Sequence, residues 1–379
     1  MKIGIDLSML VYAGSGVATY TFNLAKSLLK YGPDHEYRFF YSSFRRPLNF
    51  YYLKELQRSG ARITELKLPA STVRFLWNSH HIFPIEWFMG KVDVFHSSDY
   101  LRPPLLRRTK GITTIHDLTW KLFPHYHTPN VISHHERKLA RTIRYKDTII
   151  VDSQNTKRDL LNCYPRVDEN RIHVIYLGID ERYNPVTDKR KIKDVLTKYS
   201  IPFGPAQGGL NTQYLLYVGA IEPRKNLDTA IQVFAQLIKD PDYQDYLFLI
   251  AGRAGWKNEH IFSLIKKLGL EKKVIFIGFV KDHDLPELYS GASSLVYLSL
   301  YEGFGLPPLE AARCGTPSLI YRNSSLAETF PKNYPFAHEG RELEILKTIL
   351  SKPEHINLSF VSKFTWQAYC EKFLHVLEQ

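Results

Sequence analysis

Four groups of residues have types and spacings that suit chemistry. Glu302 and Glu310 stand with seven residues between them in Tyr301-Glu302-Gly303-Phe304-Gly305-Leu306-Pro307-Pro308-Leu309-Glu310. Arg224 and Lys225 follow Glu222-Pro223 and precede Asn226. His116 and Asp117 close an apolar run that opens at Gly111. Gly14 and Gly16 flank Ser15 just after the first apolar segment. A guanidinium fork and an ammonium point charge ahead of a helix N-terminus suit a pyrophosphate. A glycine loop between a strand and a helix offers backbone N–H groups to an anion.

Each group also has a plainer reading. The two glutamates fit a solvated loop acid and an acid placed by the helix dipole. Arg224 and Lys225 fit two solvated loop cations. A single histidine at a strand end is often structural, although chemistry collects at the carboxyl ends of strands in open α/β sheets. The loop Tyr12–Gly16 is short of a full dinucleotide fingerprint and lacks the lysine of a P-loop, so it also fits a tight strand-to-helix turn.

The elements that would position these residues alternate along the chain. Strands are expected at Ile3–Leu7, Tyr37–Tyr41, Arg62–Leu68, Val92–Ser97, Gly111–Asp117, Asp147–Val151 and Ile172–Tyr176. A second series follows at Tyr214–Val218, Leu247–Ala251, Val274–Ile277 and Ser294–Leu300. Val17, Tyr20, Leu24 and Leu28 recur at helical spacing, so a helix starts near Gly16. Asp152-Ser153 before Thr156 reads as a capped helix start, and Asn226 as the cap of a helix that buries Leu227, Ile231 and Phe234. Pro307 and Pro308 suit the first turn of a helix that Gly315 and Pro317 end, with Glu302 on the loop before it and Glu310 in its first turn. Gly204–Thr212 reads as a mobile loop, Gly252–Gly255 follows the strand Leu247–Ala251, and Gly278–Val280 reads as a turn. Thr72–Gly90 is rich in aromatic and aliphatic residues. It fits either a core-packing helix or an interfacial segment that touches a membrane.

Length and composition bound the answer. A chain of 379 residues with 44% hydrophobic and 23% charged residues is long enough for two or three domains with ordinary cores. Three widely spaced cysteines argue for a reducing compartment and against a disulfide scaffold. No signal peptide fits the N-terminus, and no apolar run approaches the roughly 20 residues of a membrane span, so a cytoplasmic protein is expected. The net charge of +12 is uneven: residues 1–180 hold 26 Lys/Arg against 16 Asp/Glu, and the remainder 24 against 22. That basic half, with the mixed basic and aromatic stretch Arg45–Arg58, suits an anionic surface. No DNA- or RNA-binding signature accompanies it, so no nucleic-acid partner is expected.

The string around Glu302 and Glu310 resembles the E-x7-E motif of the retaining glycosyltransferases of family 4. Glu222–Asn226 is similar to the E-P-x-K motif of the same family, and His116–Pro124 resembles its mannosyltransferase-like branch. The resemblance covers nearly the whole chain. It implies the GT-B fold: two Rossmann-like domains, 1–180 and 181–363, facing across a cleft, with a last helix near 364–379 crossing back to the first. It implies transfer of a sugar, mannose first, from a nucleotide-diphosphate donor such as GDP-mannose to an acceptor hydroxyl of a glycan or lipid-linked substrate. In the family the first glutamate contacts the donor sugar and the second the ribose, which assigns these roles to Glu302 and Glu310. Arg224 and Lys225 would bind the diphosphate, and His116 would point at the sugar. Gly16, Phe279, Val280, Gly303, Phe304, Gly305 and Leu306 would line the donor. Some members carry an additional arginine where this chain has Ala220, which leaves the division of labour between Arg224 and Lys225 open. No Asp-x-Asp metal motif stands beside the site, so no metal or other cofactor is expected. A GT-B sugar-nucleotide epimerase and a non-catalytic basic membrane- or nucleic-acid-binding module are the alternatives. The glutamate pair argues against the first, and the full set of donor-site residues that the resemblance implies argues against the second.

Overall fold

Short apolar runs bounded by turns become parallel strands when helices cover both faces. The computed structural model describes residues 1–44, 50–98, 101–201, 212–253 and 259–379. The chain divides into two compact units, Met1–Gly178 with Phe364–Gln379, and Ile179–Lys363.

Among the described residues of the first unit, β1 (Lys2–Asp6), β2 (Glu36–Ser42), β3 (Ile63–Leu66), β4 (Val94–Ser97), β5 (Lys110–Ile115), β6 (Thr148–Val151) and β7 (Ile172–Val174) form one sheet. Every pair is parallel, in the order β3-β2-β1-β4-β5-β6-β7. The strand order therefore reverses beside β1, and the crevice outside the carboxyl ends of β1 and β4 is the switch point of this sheet. Ile3, Ile5, Phe39, Phe40, Ile149 and Ile150 are fully buried in it.

The second unit holds β8 (Tyr214–Val218), β9 (Leu247–Ala251), β10 (Val274–Gly278), β11 (Ser294–Tyr297) and β12 (Ser318–Ile320), again all parallel, in the order β10-β9-β8-β11-β12. Its switch point lies between β8 and β11. Those are the two strands that lead into Glu222–Lys225 and into Glu302.

The last helix, Trp366–Glu378, belongs to the first unit. Thr365 caps it by accepting from the Ala368 N–H at 3.1 Å. Tyr369, Cys370 and Phe373 are buried, and the Tyr369 hydroxyl meets that of Tyr20 on the helix Gly16–Tyr31 at 2.8 Å. Gly178 lies against this turn so closely that a Cβ there would come within 2.3 Å of the Trp366 nitrogen.

Several local expectations need correction. Thr72–Gly90 is not one helix. A short helix Ala70–Arg74 widens into a π turn, Phe75–His80, and then breaks at the left-handed residues His81 (φ 53°) and Phe83 (φ 63°) before the turn Glu86–Met89. Trp77 is core, with its indole N–H donating to the Phe83 carbonyl at 3.2 Å, whereas Phe75 and Trp87 are 55% and 66% exposed. The segment thus divides between core and surface side chains, and Trp77 cannot insert into a bilayer. Asn226 stands before the helix Leu227–Leu237 but adopts φ 53° and makes no side-chain bond to its N–H groups. Its Oδ1 accepts from the Thr229 hydroxyl instead, at 2.8 Å. Glu310 is the fifth residue of Leu306–Arg313, so it sits in the second turn rather than the first. Arg45 and Arg46, Gly204 to Asn211, and Ala254 with Gly255 lie outside the described residues.

Candidate active site

The site of the second unit is built where the loops after β8 and β11 meet. The Leu300 N–H donates to the Arg224 carbonyl at 2.9 Å, which fastens one loop to the other. Pro223–Lys225 forms a 3-10 turn that projects both cations toward Glu302. Lys225 Nζ donates to Glu302 Oε1 and to the Tyr297 hydroxyl, both at 2.7 Å. Arg224 donates through Nη1 to Glu302 Oε2 at 3.1 Å and to the Tyr301 carbonyl at 2.6 Å, and through Nη2 to Glu222 Oε1 at 2.7 Å.

These cations are therefore not solvated loop residues. Lys225 is 8% exposed and Glu302 6%. Burial alone would raise the Glu302 carboxyl, but Lys225 and Arg224 outweigh it and hold the group at about 2. Burial and the neighbouring Arg224 push the Lys225 ammonium below its ordinary value, and Glu302 opposes them.

Gly305 completes the turn after Glu302 at φ +86°, and a Cβ there would lie 2.6 Å from Leu326. Both facts require glycine. Gly303 and Phe304 are buried, Leu306 half-buried. Glu310 is buried and accepts from the Tyr289 hydroxyl at 2.9 Å. Burial lifts its carboxyl to about 7, helped by Asp282 and Asp180 and opposed by hydrogen bonds from Tyr289 and Tyr183. The two glutamates thus occupy opposite electrostatic settings: one is clamped by two cations, the other sits beside tyrosines and further acids.

Across the same sheet, Gly278 turns β10 outward at φ +70°. Phe279 is exposed with the Arg253 guanidinium over its ring at 4.5 Å, whereas Val280 is buried.

In the first unit the positive φ of the glycine loop falls on Gly14 (φ +81°). Gly16 opens the helix, and a Cβ there would meet nothing within 4 Å. Ser15 caps that helix by accepting from the Ala18 N–H at 3.2 Å. His116 follows β5, and its Nδ1 lies 2.6 Å from Oδ2 of the buried Asp152. Ser153, not Asp152, caps the helix Gln154–Cys163, through Oγ to the Thr156 N–H at 3.1 Å. Asp117 caps its own turn, accepting from the Thr119 N–H and hydroxyl.

Both halves of the chain match family models. Residues 14–183 match Glycosyltransferase Family 4, and residues 206–339 match Glycosyl transferases group 1. The chain belongs to glycosyltransferase family 4. Its relatives include the O-antigen chain mannosyltransferase B of Escherichia coli, 31% identical over 62% of this chain and 58% of that one. The serotype-specific mannosyltransferase WbdA of the same organism is 32% identical over 53% of this chain and 23% of its own. This family 4 chain thus spans little more than half the length of the first relative and about a quarter of the second. Its fold is GT-B. Among solved structures, Anabaena HepE in complex with UDP and glucose aligns with TM-score 0.69 over 100% of this chain and 99% of its own, at 15% identity.

The tyrosines of this family 4 chain carry no signal in the sequence. Tyr297, Tyr289 and Tyr183 read as strand, helix and linker residues, since nothing local tells a core tyrosine from one that holds a charged side chain. Asp152 was legible only as part of a helix cap. The proximity of Glu222 to Arg224 in sequence was visible, but not that one arginine would join it to Glu302.

Proposed function

We propose that the chain transfers a hexose from a nucleoside-diphosphate donor to an acceptor hydroxyl with retention of anomeric configuration. The observation that carries this is the pair Arg224–Lys225 held against Glu302 at the carboxyl-end switch point of the second sheet. Breaking a glycosyl phosphate bond builds negative charge on the departing diphosphate. Fixed cations in a buried setting stabilise such charge without reorganising. Arg224 and Lys225 take that role, Glu302 faces the donor sugar, Glu310 the ribose, and Phe279 with Val280 the base. His116 is assigned to the donor sugar. The reading requires no metal ion, and full turnover in EDTA is its check.

Mannose is the first sugar to test, because the relatives named above are mannosyltransferases, and GDP-mannose is the first donor. A thermal-shift panel of GDP-, UDP-, ADP- and dTDP-sugars identifies the base. A ligand at 100 times its Kd stabilises the folded state by about 2.7 kcal/mol. Release of nucleoside diphosphate that depends on an acceptor extract is the expected result. Donor turnover without any acceptor-derived product favours an epimerase.

The acceptor is proposed to be a glycan or lipid-linked molecule met at an anionic membrane surface. Phe75, Ile82, Phe83 and Trp87 are all exposed within one short segment, and Phe83 packs on Trp87 at 5.9 Å. Leu106 joins them, its N–H donating to Glu86, and exposed Arg107 and Arg108 follow directly. Aromatic side chains beside arginines suit the headgroup region, where each cation contributes about 1 kcal/mol. Sedimentation with anionic but not neutral vesicles is expected, with loss at high salt and on Trp87→Ala. A protein that stays in the supernatant with anionic vesicles at low salt has a soluble or protein-borne acceptor. No helix among the described residues is long and apolar enough to cross a membrane.

A further inference from the structure

A second pair of side chains, in the first unit, is built with as much care as the Glu302 cluster. His116 Nδ1 and Asp152 Oδ2 are 2.6 Å apart, and the Asp152 side chain is 3% exposed against 18% for His116. A buried carboxylate that accepts from one ring nitrogen decides which tautomer the imidazole adopts and which way its other nitrogen points. The surroundings hold the ring in place. Tyr20 packs edge-on at 4.5 Å between centroids, and the Thr156 hydroxyl donates to the His116 carbonyl at 3.3 Å. Thr156 belongs to the helix that Ser153 caps, so the residue next to Asp152 organises the backbone on which both partners depend. The carboxylate itself is dedicated to this contact. Its Oδ1 is buried and finds no hydrogen-bond partner, an arrangement that costs stability unless the charge is used.

We infer that Asp152 is a positioning residue for His116: its carboxylate fixes the proton on Nδ1 and aims Nε2 as the group that meets the donor sugar. The functional half of this inference rests on the donor-facing reading of His116. The geometric half does not. Other ionisable groups face the pair from each neighbouring element. Asp117 follows His116 in the loop and adds negative charge near Asp152. His96 on β4 is buried, and burial, Lys138 and His116 hold it well below its ordinary value, at about 3. Lys138 donates to the Thr114 carbonyl at 2.9 Å from the helix Pro129–Arg144. Asp152 meets the imidazole at Nδ1.

The test is nitrogen NMR of the full chain labelled at histidine, with the His116 signals identified by their loss in His116→Ala. The expected wild-type spectrum near neutral pH shows the proton on Nδ1. In Asp152→Asn, which keeps the side-chain volume, the imidazole midpoint should fall by about one unit or more, because a nearby carboxylate favours the charged ring. Turnover should fall roughly tenfold or more, while affinity for the nucleoside diphosphate stays at the wild-type value. The same substitution in a His116→Ala background should add nothing. A bare Nδ1 in the wild-type protein overturns the inference without any variant, so misfolding of Asp152→Asn cannot rescue it. An unchanged midpoint in Asp152→Asn overturns it, as does an equal further loss of turnover in the His116→Ala background. If no donor is turned over at all, the transferase reading fails, and the spectrum still decides whether Asp152 sets the tautomer.

Discussion

Lys225→Ala should lower turnover about 10²–10³-fold, the usual effect of removing one preorganised donor from developing negative charge. It should also destabilise the fold, which a lysine on a solvated loop would not do. Lys225 and Glu302 are both buried and 2.7 Å apart, so deletion of the ammonium leaves the buried carboxylate with Arg224 alone, at 3.1 Å. Breaking a buried pair outright costs about 3–5 kcal/mol, which is the upper bound here because Arg224 stays. Arg224→Ala should cost less stability, because Arg224 is more exposed and Glu302 retains Lys225. The acid side of the stability profile carries a related signature. Glu302 is held at about 2 against an ordinary 4.5, so the unfolded chain binds more protons between those values. Its contribution is present above the unfolded value and is lost as pH falls through the folded one. Chemical denaturation and nucleotide-release kinetics on the same preparations separate the two effects. A folded Lys225→Ala protein with wild-type turnover would move the diphosphate elsewhere.

Glu310 should behave in the opposite sense. Glu310→Gln is expected to weaken nucleoside-diphosphate binding by about 1.5–3 kcal/mol, the worth of a hydrogen bond to a charged group. The pH dependence is more distinctive. The folded carboxyl is raised to about 7, so the native state binds more protons than the unfolded chain between 4.5 and 7. Its contribution to stability therefore falls as pH rises through that window. Ribose hydroxyls that donate to Glu310 favour its ionised form. Binding should then release a proton below about pH 7, and affinity should rise with pH up to that point. Calorimetry in two buffers of different ionisation enthalpy reads the proton directly. Proton release that persists in Glu310→Gln, or affinity flat from pH 5 to 8, would take Glu310 out of the ribose site.

The alternation of apolar runs with turn signals determined every described strand but Ser318–Ile320, together with the helices after Gly16, Ser153, Asn226 and Gly305, because hydrophobic period is a local property of a parallel α/β chain. Helices such as Pro129–Arg144 were not legible in this way. Motif spacing determined the candidates at Glu302, Glu310, Arg224, Lys225 and His116, since each follows a strand that the pattern locates. Boundaries were legible to within a few residues. The break at His81 and Phe83 was not, because its left-handed backbone falls on residues that rarely adopt it. What only the tertiary structure decided was the partnership among these side chains. Glu302 and Lys225 are 77 residues apart, and His116 and Asp152 36. They meet because strand order, not chain order, sets which loops are neighbours. The same limit explains Trp77 and Trp87, ten residues apart in a single apolar stretch. A turn of backbone sends one into the core and the other to the surface, and composition is the same for both.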